Sequence, residues 1–233
     1  MKLLPKMTRL QWFEITKFSH RELKRLTDRL LDEKYDNKRG WGYQVSEARR
    51  QFLTGRFIEK EKRIETITDP FGKTQSFEIF VYREIIFRLQ PEWPQLQIEN
   101  PPRNLGPFFT SIGEYLNFEV GISEIRIAPT DWIQAFQKKF SSTKVVKAQI
   151  NNIIVSNSSS AALLIAGSED VQKHFRELTR GRKYNLSSAQ MEFFDNGVTV
   201  KFEVNESARV KIISANEQHS SAFFREFFLF FKG

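Results

Sequence analysis

The chain contains no cysteine. That excludes disulfides, thiolate nucleophiles and Cys-ligated zinc or iron–sulfur centres, and it fits a reducing compartment. Histidine is scarce. His20, His174 and His219 stand apart, with no metal-ligand spacing between them, so neither a metal nor another cofactor is expected. No apolar run approaches the roughly 18–20 residues that span a bilayer. The segment Met1 to Met7 is short and broken by Pro5, which is not a secretory h-region. A cytoplasmic protein without membrane contact is expected, and the Asn-x-Ser triplets at Asn157, Asn185 and Asn205 then carry no meaning. A Walker-type loop, a dinucleotide fingerprint and a Gly-x-Ser-x-Gly elbow are also missing; Gly40-Trp41-Gly42 is too short to stand in. The triplets Glu22-Leu23-Lys24, Asp32-Glu33-Lys34 and Asp36-Asn37-Lys38 lie on a predicted helix or its exit. Such triplets arise freely on charged helices, so they do not make a metal-dependent nuclease centre.

Phenylalanine and positive charge are present in excess. Among 233 residues there are 23 Phe against 5 Tyr and 4 Trp. Phe has no polar handle, so most of these rings are expected in a core or a lasting interface. The formal charge is +8 and the pI about 9.6. That excess favours a polyanionic partner, held by phosphate neutralisation and counterion release. The length permits one large or two small domains.

Periodicity and turn chemistry predict an alternation of strands and helices. Arg9–Phe18 reads as a strand through Leu10, Trp12 and Ile15. Ser19 with Glu22 forms a capping box for a helix reaching about Tyr35, with Leu23, Leu26, Leu30 and Leu31 as its buried stripe. Asp36–Tyr43 reads as a loop and Ser46–Phe52 as a short helix. Arg56–Thr68 and Thr74–Leu89 form a long hairpin turned by Asp69-Pro70-Phe71-Gly72. Its alternation of Ile79 and Val81 with Phe80 and Tyr82 predicts a sheet covered on both faces. A strand at Leu96–Glu99, a helix near Pro107–Leu116, a strand at Gly121–Ala128 and a helix at Trp132–Phe140 follow. Beyond a boundary at Ser141–Thr143 the order is strand (Val145–Val155), strand (Ala161–Ala166) and a helix capped by Ser168 that runs through Thr179. Then come strands at Asn185–Phe194, Gly197–Val204 and Ala208–Ser214, with Asp195-Asn196-Gly197 as a hairpin turn. The last helix, Ser220–Phe231, sets Phe223, Phe224, Phe227, Phe228 and Phe231 on one stripe.

An internal echo links Phe52–Phe57 with Leu178–Tyr184: each follows a basic stretch and opens a run of β-like segments. Each run closes on a short apolar strand, a polar turn and a double Phe, Phe108-Phe109 or Phe223-Phe224. The expected fold class is therefore α+β in two similar halves, 1–142 and 143–233, each an antiparallel sheet with helices on one face. A saddle-like duplication of this kind resembles the plan of the TATA-binding protein, an analogy of fold alone.

Two constellations carry the functional expectation. Lys38, Arg39, Arg49, Arg50 and Arg56 surround Trp41 and Tyr43, and Arg21 and Arg25 lie off the stripe of the first helix. Arg180, Arg182 and Lys183 beside Tyr184 repeat the pattern. Arginine grips phosphate bidentately, and loop aromatics stack on unpaired bases, so contact with DNA or RNA is expected. The alternative is an ordinary solvated basic face. His20, among Arg21, Lys24 and Arg25, is the one weak catalytic candidate, as acid or base on an RNA 2′-OH. A histidine so placed after a first strand is loosely similar to the duplicated ferredoxin-like endoribonucleases that process CRISPR transcripts, whose glycine-rich loop near the C-terminus this chain lacks. Phe227, Phe230 and Phe231 of the last helix are candidate contacts for a protein partner or a second copy. The expected function is a non-catalytic nucleic-acid-binding or assembly subunit of a larger, bacterial-type complex. A metal-independent endoribonuclease using His20 and a pure protein-interaction module are the alternatives.

Overall fold

The computed structural model describes residues 7–156, 158–214 and 221–231. The fold is α+β, dominated by antiparallel β-structure. The eleven strands are β1 (Thr8–Ile15), β2 (Trp41–Ala48), β3 (Leu53–Thr68), β4 (Thr74–Leu89), β5 (Leu96–Glu99), β6 (Ile122–Glu124), β7 (Lys144–Ser156), β8 (Ser159–Ala166), β9 (Asn185–Asp195), β10 (Val198–Asn205) and β11 (Arg209–Ser214). The helices are α1 (His20–Asp32), α2 (Gly106–Tyr115), α3 (Pro129–Lys139), α4 (Gln172–Leu178) and α5 (Ser221–Glu226), the last continued by a 3-10 turn, Phe227–Phe230. The chain divides into two compact units, Met1–Phe13 with Ser123–Gly233, and Glu14–Ile122.

In the unit Glu14–Ile122 the strand order is β2-β3-β4-β5. Tyr43 of β2, Phe57 of β3, Phe87 of β4 and Phe108 of α2 form its aromatic core, with ring centroids 5.0–6.5 Å apart. Leu23, Leu26 and Leu30 of the α1 stripe are buried as their spacing predicts, whereas Leu31, expected beside them, is exposed. In the other unit the order is β1-β11-β10-β9-β7-β8. The first strand thus pairs with the last, Thr8↔Ile212 to Gln11↔Arg209. α3 lies against β9 and β10, and Trp12, Trp132, Phe136, Phe193, Phe202, Phe224, Phe227 and Phe228 fill the interior.

Turn chemistry sets both predicted hairpins. Asn196 and Gly197 take positive φ between β9 and β10, which L-residues other than Asn and Asp rarely adopt. Asp69 accepts the amides of Phe71 and Lys73 at the tip of β3–β4.

Several expectations are corrected. The segment Ser46–Phe52 is not helical: Trp41–Ala48 is β2, paired with β3, because Tyr43 needs the sheet interior and a strand delivers it there. The predicted strand Gly121–Ala128 shrinks to Ile122–Glu124. The helix after Ser168 begins only at Gln172 and has no side-chain cap; Asp170, two residues before, accepts from the Gln172 amide at 2.9 Å. The last helix is α only to Glu226 and then tightens; the predicted Ser220 lies outside the described residues. The β3–β4 sheet is not covered on both faces: among the described residues its distal half is exposed, because β2 and β5 pair only its base. A duplication of two halves is not shown. Phe52–Phe57 runs into β3, whereas Arg180–Tyr184 is the loop before β9, so the echo is not matched residue for residue.

Candidate nucleic-acid interface

The start of α1 is built by local chemistry. The Ser19 hydroxyl accepts from the Arg21 amide at 3.1 Å, and the Glu22 carboxylate accepts from the Ser19 amide at 3.1 Å. The Ser19 side-chain hydrogen bond holds the Glu22 carboxyl below the usual carboxylate range. Burial of the leucine stripe then leaves Arg21, Lys24 and Arg29 exposed and Arg25 half-buried.

The exit of β2 returns beside this face. The Arg49 amide donates to the Phe52 carbonyl at 2.8 Å, which turns the chain and presents Arg49 and Arg50 to solvent. A groove of about 470 Å³ results, lined by His20, Arg21, Leu23, Lys24, Thr27 and Asp28 from α1 and by Ala48, Arg49 and Arg50. A second depression of about 410 Å³ runs along α1 past Arg21, Lys24, Arg25 and Arg29, with Asp28 and Asp32. Arg25 pairs with Glu119 at 3.4 Å and Arg49 with Glu47 at 2.9 Å. Arg21, Lys24, Arg29 and Arg50 make no ion pair among the described residues, so their charge is open to an external anion. The opposing Asp28 and Asp32 reduce the positive potential without cancelling it.

Of the remaining predicted residues of the first set, Arg39, Arg56, Trp41 and Tyr43 are engaged within the protein. Arg39 pairs with Glu33, donates to the Lys34 and Trp41 carbonyls at 3.0 and 3.1 Å, and lies 4.1 Å over the Trp41 ring. Trp41 is therefore covered by protein rather than offered to a base. Tyr43 is fully enclosed, its hydroxyl 2.9 Å from Ser111 Oγ, and burial pushes its phenol pKa strongly up. Arg56 binds Gln44 at 2.6 Å and Glu84 at 2.9 Å on the sheet face. Lys38 is exposed, its amide held by Asp36 at 2.6 Å.

The second set lies in the other unit. Arg180, Arg182 and Lys183 are exposed in the turn after α4. Arg180 lines a shallow depression of about 710 Å³ with Lys173 and Arg176, but also with Asp170 and Glu177. In the same unit Phe227 is fully buried, its ring stacked 3.7 Å from Phe136, and Phe231 packs 4.8 Å from Trp132. Of the three candidate partner contacts, only Phe230 is exposed, by nearly half.

His20 borders the first groove with its Nε2 3.8 Å from Glu92 Oε1, both side chains largely exposed. His174 is exposed on α4, and His219 lies outside the described residues. Among the described residues no three His, Asp or Glu side chains group to hold a metal, and no helix is long and apolar enough to cross a membrane. Sequence reasoning omitted Lys24 and Arg29 from the binding set; their i+3 and i+8 spacing from Arg21 on the outer face of α1 was the available signal. No protein-family model matches the chain, and no curated protein shows a significant match.

Proposed function

We propose that the chain is a nucleic-acid-binding subunit, without catalysis of its own, that grips phosphates along α1 and the adjoining groove. The observation carrying this reading is that Arg49 and Arg50 share one groove with Arg21 and Lys24, although the two stretches are far apart in sequence. Three of its cations, Arg21, Lys24 and Arg50, make no ion pair among the described residues, and the whole chain is at +8. In a duplicated plan the Arg180–Lys183 set is the counterpart, adding phosphate contacts in the other unit. The proposal places the protein in the cytoplasm, within a larger assembly acting on DNA or RNA.

Fluorescence anisotropy with labelled single- and double-stranded DNA and RNA tests it. Binding is expected at low salt, and the pair Arg49→Glu with Arg50→Glu is expected to weaken it at least about tenfold, with the melting temperature unchanged. Absence of binding to every form sinks the proposal. Because His20 borders the same groove, cleavage of labelled RNA that disappears in His20→Ala moves the assignment to a metal-independent endoribonuclease.

A further inference from the structure

The distal part of the β3–β4 hairpin pairs with nothing but itself among the described strands. Pairing with β2 stops at Glu59 and pairing with β5 starts at Ile86. At about 3.3 Å per residue, the remaining strand length makes an arm about 30 Å long with two open edges. The register from Leu53↔Leu89 to Thr68↔Thr74 puts odd-numbered residues of both strands on one face. Ile67, Phe77, Ile79 and Val81 therefore share a face; Ile64, Phe80 and Tyr82 share the other; Phe71 stands at the tip, 96% exposed. Ile64, Ile67, Phe80 and Tyr82 are each more than half exposed, and Phe77 nearly half.

A polyanion is a poor occupant for this surface. From Lys60 to Arg83 the basic residues Lys60, Lys62, Arg63, Lys73 and Arg83 face the acidic Glu61, Glu65, Asp69 and Glu78, so the arm is close to neutral while the rest of the chain carries the excess. Four of these five cations are also spoken for. Lys62 pairs with Glu78 at 2.7 Å, Arg63 and Arg83 both reach Glu61, at 3.0 and 2.6 Å, and Lys60 binds Asn37 and covers Phe80. What the arm offers is apolar area, unpaired backbone edges and balanced charge, the chemistry of a protein interface.

We propose that the arm is the dimerisation element and that its occupant is the arm of a second copy of this chain, packed about a two-fold axis. At about 200 Å² per large side chain, Ile64, Phe80 and Tyr82 on one face together with Phe71 at the tip offer on the order of 550 Å², the size of a small, weakly associating interface. Two-fold pairing returns to each arm the surface it presents: an apolar face and tip, open edges, and charges of both signs.

Sedimentation equilibrium of the full chain, over about 1 to 100 μM, tests this. The wild type is expected to dimerise. Phe71→Ser with Phe80→Ser, both solvent-exposed positions, is expected to raise the dimer dissociation constant at least about tenfold at an unchanged melting temperature. If that variant loses its melting transition, Ile64→Ser with Ile67→Ser is read in its place. A wild type that stays monomeric throughout overturns the proposal, as does an arm variant that dimerises as tightly as the wild type.

Discussion

Gly42 shows how far a single residue is decided by its neighbours. The pair Gly40-Trp41-Gly42 has the look of a phosphate loop, yet its chemistry is steric. The segment Lys34–Tyr35 crosses β2 here, with the Tyr35 amide donating to the Tyr43 carbonyl at 3.0 Å and the Tyr43 amide donating to the Glu33 carbonyl at 2.9 Å. Gly42 has φ +154, and a Cβ there would sit 2.5 Å from Tyr35 Cα and 2.6 Å from the Lys34 carbonyl oxygen. Both obstacles are backbone, which has no rotamer to move. Gly42→Ala is therefore expected to cost about 3 kcal/mol or more, seen as a large fall in the denaturation midpoint; a midpoint within error of wild type would contradict the close approach. Tyr43, one residue on, holds the same junction from inside through Ser111, which is why its ring is lost to any ligand.

At the scale of elements, the C-terminal aromatic segment and the hairpin arm make opposite uses of the same residue types. Phe224, Phe227 and Phe228 lie beneath α3 and β10. Phe224 contacts Phe202 at 5.2 Å, Phe227 stacks on Phe136 at 3.7 Å, and Phe228 meets Trp12 at 4.8 Å and Trp132 at 5.6 Å. Truncating a buried Phe costs about 3–5 kcal/mol, against a typical total stability of about 5–15. Phe224→Ala with Phe228→Ala should abolish the cooperative melting transition followed by circular dichroism. Phe230→Ala, at a ring nearly half exposed with Lys138 Nζ 5.9 Å from it, should leave that transition nearly in place. Equal effects of the two variants would remove the distinction between core and surface drawn here. The arm's rings, by contrast, stay largely open: Tyr82 meets only the edge of Tyr35 at 6.4 Å and Phe80 lies under Lys60, yet both are more than half exposed.

At the scale of the whole molecule the governing quantity is charge. A net charge of +8 produces attraction to any polyanion, but the salt dependence of binding reports how many phosphates are neutralised. Arg21, Lys24, Arg29 and Arg50 are cations of the proposed interface that make no ion pair among the described residues. If these four carry the contacts, a log–log plot of affinity against salt on duplex DNA should have a slope of about −3 to −4, and Arg50→Glu should flatten it by about one. A slope near zero would remove phosphate contact as the source of binding.

The amino-acid sequence by itself determined the features that short-range chemistry can specify. The Ser19–Glu22 capping box, the leucine stripe of α1, the Asp69–Gly72 and Asp195–Gly197 turns and the α+β class all depend on side chains within a few residues of one another. Tertiary structure decided what depends on residues far along the chain. Ser46–Ala48 extends as strand rather than helix because β3 offers a pairing edge and the aromatic core takes Tyr43. The first strand joins the last because β11 presents a matching register to Thr8–Gln11. The basic residues were visible as clusters, but which of them stay free was not. Arg39 and Arg56 are consumed by Glu33 and Glu84, while Arg21 and Arg50 face one groove, and that sorting is settled only when separate segments meet in space. The exposure of the hairpin arm is of the same kind: alternation sets which residues share a face, and only the lengths of the neighbouring strands decide whether that face is covered.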